Sequence, residues 1–133
     1  MADVKKIATR DSYGNALKEL GDEYDNIVVL GQIWEATMFA AHYHLDNLCI
    51  IVDLNGLQID GRTCDVMNTA PVDKKFQAFG CSVISINGHD FADIEKAMNF
   101  FHANHGTGKP TAILMTTVKG KGVSYMENQA GWH

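Results

Sequence analysis

Apolar and polar positions along the chain predict helices and strands in alternation. Asp11 can cap a helix from about Ser12 to Leu20, where Ala16, Leu17 and Leu20 share a face and Gly21 ends the run. Residues 27–30, "IVVL", are continuously apolar, the pattern of a strand covered on both faces. Helical spacing returns from Gln32 to about Tyr43 through Ile33, Ala36, Phe39 and Ala40. "LCIIV" at 48–52 is the clearest strand, and the polar stretch "DLNGLQIDGRTCDVMNTAP" follows it. Connections of that length are usually functional or mobile.

Thr69 is expected to cap the next helix, with Pro71 in its first turn and Gly80 ending it. Val83 to Ile86 predicts a third strand. Asp90 should cap a helix reaching about Asn104, with Ile94, Ala97, Met98 and Phe101 on its buried face. Thr111 to Thr117, after Pro110, predicts a fourth strand. Four short apolar strands separated by helices predict an α/β fold, a three-layer open parallel sheet with helices on both faces, in one domain spanning 1–133. The tail "VKGKGVSYMENQAGWH" has no helical period and reads as a surface loop.

Composition narrows the function classes. The 133 residues are 46% hydrophobic and 20% charged, which suits a globular core of moderate size. A formal net charge of −5 offers no broad basic field, so no nucleic-acid partner is expected. No apolar run approaches a membrane span and "MADVKKIATR" is no signal peptide, so the expected location is cytoplasmic with no membrane partner. Cys49, Cys64 and Cys81 form no CxxC pair; Cys49 and Cys81 fall in strands as buried fillers, which leaves Cys64 to test for reactivity.

The candidate chemistry follows the clearest strand. In "DLNGLQIDG", Asp53, Asn55 and a carbonyl of the next turn could meet a hard cation such as magnesium. The same side chains could instead bond only their own backbone. Asp53 is expected to point to the opposite face from Asn55, and Glu35 to reach the site only if its helix start shifts. The histidines have structural readings: His42 and His44 point in different directions, His102 and His105 complement a helix end, and His89 in "NGHDF" supports a turn. Lys119 and Lys121 are either solvated or able to attract phosphate.

The motifs "WEATMFAAHYHLDNLCIIVDLNGLQIDG", "DKKFQAFG", "INGHDF" and "GKPTAILMTTVKGKGVSYMENQAGWH" occur in an order that closely resembles the diphosphate-binding domain of transketolases. The resemblance covers residues 32–133, about three quarters of the chain. It implies a thiamine-diphosphate-binding-like fold in which the Asn55 side chain and the Leu57 carbonyl hold the magnesium that bridges the diphosphate. It further implies Ile59 near the thiazolium ring and His133 near the diphosphate and the reacting centre. Residues 5–30, "KKIATRDSYGNALKELGDEYDNIVVL", resemble the start of the transketolase pyrimidine-binding domain, so 1–31 reads as a borrowed segment of a truncated or chimeric chain. There Arg10 matches the arginine that contacts the sugar phosphate, a task suited to a planar, bidentate guanidinium.

One departure from the family pattern matters. Family members carry Gly-Asp-Gly before this helix, the aspartate for magnesium and the glycines for close backbone approach. Here Gly31 is followed directly by Gln32. The glutamate that activates the aminopyrimidine also has no counterpart. The resemblance therefore implies a transketolase-type protein that transfers two-carbon ketol units between sugar phosphates, with thiamine diphosphate and magnesium as cofactors. It would work weakly or not at all as an isolated chain, and would need a homo-oligomer or partner chain. The rival reading is a non-catalytic α/β fragment or oligomeric scaffold of the same descent. A nucleotide or flavin binder lacks its glycine-rich fingerprint after the first strand.

Overall fold

In the computed structural model, which describes residues 33–132, the chain runs α1 (Ile33–His42), β1 (Cys49–Leu54), β2 (Leu57–Gln58), β3 (Gly61–Arg62) and α2 (Thr63–Val66). It continues through α3 (Val72–Ala78), β4 (Ser82–Asn87), α4 (Phe91–Ala103) and β5 (Thr111–Thr116). The chain divides into two units, Met1–Ala36 and Thr37–His133, and every described element except the start of α1 belongs to the second. The helix expected from Ser12, the strand at 27–30, and Arg10, Gly31 and His133 lie outside the described residues.

β5 lies between β1 and β4, parallel to both, in register from Cys49↔Thr111↔Ser82 to Leu54↔Thr116↔Asn87. The apolar run 112–115 at its centre explains the central place. Successive strand residues face opposite ways, and Thr111, Ala112, Ile113 and Leu114 are all buried, so both faces of β5 are covered. On one face Ile113 packs with Ile86 of β4 and Ala97 of α4, joined by Cys49, Ile84, Ile94 and Met115. Burying a side chain such as Leu114, or Phe76 of α3, stabilises the fold by about 1.5–3 kcal/mol.

α4 begins as its sequence predicts: the Asp90 carboxylate accepts from the Ala92 and Asp93 amides at 2.8 and 3.4 Å. Three expectations need correction. Met98 is exposed rather than buried, because α4 turns only its Ile94–Ala97 side to the sheet. Thr69 does not cap α3; Pro71 holds that position without a side-chain bond, and the Thr69 carbonyl accepts from Lys75 Nζ at 2.7 Å. The polar stretch after β1 is not plain loop but contains the antiparallel ribbon β2–β3 and the short α2.

The connections before the strands are tied by polar groups. Asn104, at the end of α4, accepts from the Ser82 hydroxyl at 2.8 Å and donates to Thr111 Oγ1 at 2.9 Å and to the Lys109 carbonyl at 2.5 Å. Asp46, ahead of β1, accepts from the amides of Gly106 and Gly108 at 2.8 and 3.0 Å. The Gly108 amide above all, then Gly106 and the nearby His105, hold its carboxyl below the usual aspartate range against a partial loss of solvation. Past the strand ends, a Cβ on Gly88 would lie 2.6 Å from the Thr117 methyl and 3.0 Å from Met115 Cβ, so a side chain there would force its neighbours to shift.

Candidate functional site

Asn55 is the first residue beyond β1, where the chain leaves the sheet. Its Oδ1 accepts from the Leu57 amide at 2.9 Å, an Asx turn, and its Nδ2 lies 3.4 Å from Asp53 Oδ2. A donor on one side and a carboxylate on the other leave the amide a single sensible orientation. Gly56 follows with φ +73°, a conformation open to glycine, and lets the chain double back. The ribbon is closed by Thr63, whose amide and hydroxyl both donate to the Gly56 carbonyl, at 2.9 and 3.3 Å.

The expectation that Asp53 faces away from Asn55 is overturned. Residues two apart share a strand face, and here their side chains meet. Asp53 also accepts from the Thr117 hydroxyl at the exit of β5. The carboxylate therefore orients Asn55 and joins two strand ends.

A polar cavity of about 650 Å³ opens beside this loop, lined by Asn55, Gly56, Leu57, Arg62, Thr63, Cys64 and Asn128. Asn55 and Leu57, the residues matched to magnesium binding, thus come together. Ile59 lies at the ribbon tip, 69% exposed, and is not part of the cavity wall. Two contributors are not legible from local sequence. Arg62 sits inside the long polar stretch, and its position depends on the ribbon pairing Leu57↔Arg62. Asn128 comes from the tail and sits at φ +58°, a conformation asparagine tolerates better than most residues.

A second depression, about 480 Å³, lies across the exits of β4 and β5 and is lined by Ser85, Asn87, His89, Asp93, Thr117 and Val118. His89 Nε2 accepts from the Val118 amide at 2.7 Å, so its expected turn-supporting role reaches across to the tail. Asp93 accepts from the Asn87 amide at 2.9 Å.

The donors near Asn55 can be weighed against the cofactor. The Asn55 amide oxygen and the Leu57 carbonyl are neutral. Among the described residues no three His, Cys, Asp or Glu side chains gather as metal ligands. Magnesium asks for about six oxygens and commonly takes its negative charge from carboxylates plus phosphates. These two oxygens fit it only when diphosphate oxygens and water complete the set. Arg62, weakly paired to Asp65 at 4.0 Å, supplies a cation on the same cavity wall. In the adjoining ribbon, Gln58 Nε2 is a buried donor with no partner among the described residues.

The cysteines follow their burial. Cys49, in β1, is half-buried rather than buried, and Cys81 is buried but stands one residue before β4. Desolvation raises the Cys49 thiol and pushes Cys81 up to about 11, while Cys64 is exposed on the cavity wall.

Comparison with known proteins bears on the same residues. The family model for the transketolase thiamine diphosphate binding domain matches residues 20–133. A 6-deoxy-6-sulfo-D-fructose transketolase subunit from a Clostridium species is 44% identical over 103 residues, 77% of this chain and 37% of the relative. An apulose-4-phosphate transketolase subunit from Actinobacillus succinogenes is 42% identical over 103 residues, 77% of this chain and 36% of its own. Among solved structures, a Campylobacter jejuni transketolase aligns with a TM-score of 0.68 and 34% identity, covering 78% of this chain and 16% of that one. The chain thus spans little more than a third of the two subunits it matches.

Proposed function

Because the chain belongs to the transketolase thiamine diphosphate binding domain family, we propose that it contributes the diphosphate-holding side of a site for two-carbon ketol transfer between sugar phosphates. The observation that carries this is the Asn55 turn, with its amide oriented by Asp53 and Leu57 beside a cavity that also holds Arg62. Asn55 Oδ1 and the Leu57 carbonyl would hold magnesium, and Arg62 would face the phosphate oxygens. By family resemblance Gly31 would allow close backbone approach, Ile59 would meet the thiazolium ring, His133 would line the reacting centre and Arg10 would receive sugar phosphate.

Thiamine diphosphate, when bound, supplies the electron sink for breaking and forming the carbon–carbon bond. The chain's own part is to bind and orient. The two oxygens it offers magnesium, on Asn55 and Leu57, are neutral, which argues for weak cofactor affinity in the isolated chain. That two relatives are called subunits supports completion of the site by a partner chain or a second copy. No described helix is long and apolar enough to cross a membrane, and the cytoplasm is the proposed setting.

A second reading, a non-catalytic module, draws on the direct step from Gly31 to Gln32, which leaves out the family's metal-binding aspartate. Calorimetric titration with thiamine diphosphate and magnesium chloride decides between the two. Weak binding, abolished by Asn55→Ala, is expected. No binding at all, with or without partner subunits, would favour the module. Tight binding indifferent to Asn55→Ala would overturn the site, and ketol transfer by the purified chain alone would overturn the need for a partner.

A further inference from the structure

The contact between Val118 and His89 fixes a protonation state. A backbone N–H can only donate, so His89 Nε2, 2.7 Å away, has to accept. The imidazole is then neutral and carries its proton on Nδ1. Protonating Nε2 would set two N–H groups against each other and break the contact.

Val118 is the root of a loop that closes on itself. The Asn128 amide donates to the Lys119 carbonyl at 2.8 Å, the Val123 amide to Gly120 at 3.0 Å, and the Glu127 amide to Val123 at 2.8 Å. The Glu127 carboxylate returns to the Gly122 amide at 3.0 Å. A surface loop closed by its own groups in this way has the character of an Ω-loop, a compact piece whose ends lie close together. At the root, Thr117 is bonded to Asp53 and Val118 to His89; at the far end, Asn128 reaches the Asn55 cavity. The charged groups on the elements meeting at the ring are Asp90 and Asp93 from the start of α4 and Lys119 from the loop, with Asp53 facing the neighbouring Thr117.

We propose that His89 is the positioning residue of this loop. As a neutral acceptor it sets the direction in which the chain leaves β5, and so holds Asn128 against the Asn55 cavity; protonation of the ring unseats the loop. That the cavity is a diphosphate site rests on the function proposed above, whereas the seating of the loop does not.

NMR of the full chain labelled with nitrogen-15 tests it. The His89 ring is expected as the Nδ1–H tautomer, and the Val118 amide should change along the same pH titration curve as the ring. His89→Ala should speed Val118 amide exchange roughly tenfold and shift the side-chain amide signals of Asn55 and Asn128. His89→Gln, whose side-chain carbonyl can accept in place of Nε2, should restore protection and make it indifferent to pH between about 5 and 8. A purely structural filler would show neither the tautomer nor the rescue. A proton on Nε2, a Val118 amide that ignores the ring's titration, or a glutamine variant no better than alanine would each overturn the proposal. Titrating the same proteins with thiamine diphosphate and magnesium separates the two readings. Failure of the unmodified chain to bind counts against the cofactor role alone, since the NMR outcomes decide His89 without it.

Discussion

The two ends of the β1–β5–β4 sheet are built to different rules. At the end where strands begin, Asn104 is filled with protein partners, bonding Ser82, Lys109 and Thr111, and Asp46 is held through Oδ2 by the amides of Gly106 and Gly108. At the end where strands finish, Asp53, Asn55, His89 and Thr117 are also held by protein partners, but beside two open cavities. Ligands in open α/β sheets gather outside the carboxyl ends of strands. The contrast teaches that polarity alone does not mark a site. What distinguishes the finishing end is polar groups held in place with room in front of them.

Substitutions should separate the ends by what they damage. Asn104→Ala strands a buried hydroxyl and a carbonyl at once, and should cost roughly 3 kcal/mol in urea unfolding. Gln58→Leu at the other end should instead gain about 1 kcal/mol by removing a buried donor that has no partner among the described residues. A loss there would mean that the amide has a partner after all. Asn55→Ala should cost under about 1 kcal/mol, one part-buried turn bond, while removing cofactor binding. A large stability loss would erase the contrast.

Two finer tests follow. The folded pKa of Asp46 is lowered, chiefly by the Gly108 amide, so its contribution is complete above the unfolded value, about 3.9. That contribution fades as pH falls through the lower folded value. Stability of the unmodified chain over Asp46→Asn should therefore shrink only in acid below about pH 4, read from denaturation midpoints. Among the described cysteines, Cys64 should react first with a thiol reagent near neutral pH, half-buried Cys49 more slowly, and buried Cys81 last.

Much of the sheet is legible in the sequence because its signals are local. The apolar run at 111–116 marks a strand covered on both faces, and Asp90 ahead of an apolar helical stripe marks a cap. Thr69 misleads because a favourable capping residue two places early competes with Pro71, which the backbone uses instead. The site is legible in part. Asn55 and Leu57 stand out in the sequence, but Arg62 enters the cavity wall through a ribbon pairing and Asn128 through a loop closure. The Val118–His89 bond joins residues 29 apart, and no local periodicity records such a contact. Asp53 is a different case: strand alternation, applied correctly to residues two apart, puts it on the same face as Asn55, against the expectation of opposite faces.

The absence of a side chain at Gly88 has a mechanical consequence. With 2.6 Å between a notional Cβ and the Thr117 methyl, there is no slack between the strand exit that leads to His89 and the one that leads to the tail. The two exits are packed directly against one another, so a displacement of one is expected to be felt at the other. Even an alanine at this seam would act as a wedge, prising apart the histidine and the amide it receives while leaving both chemically intact.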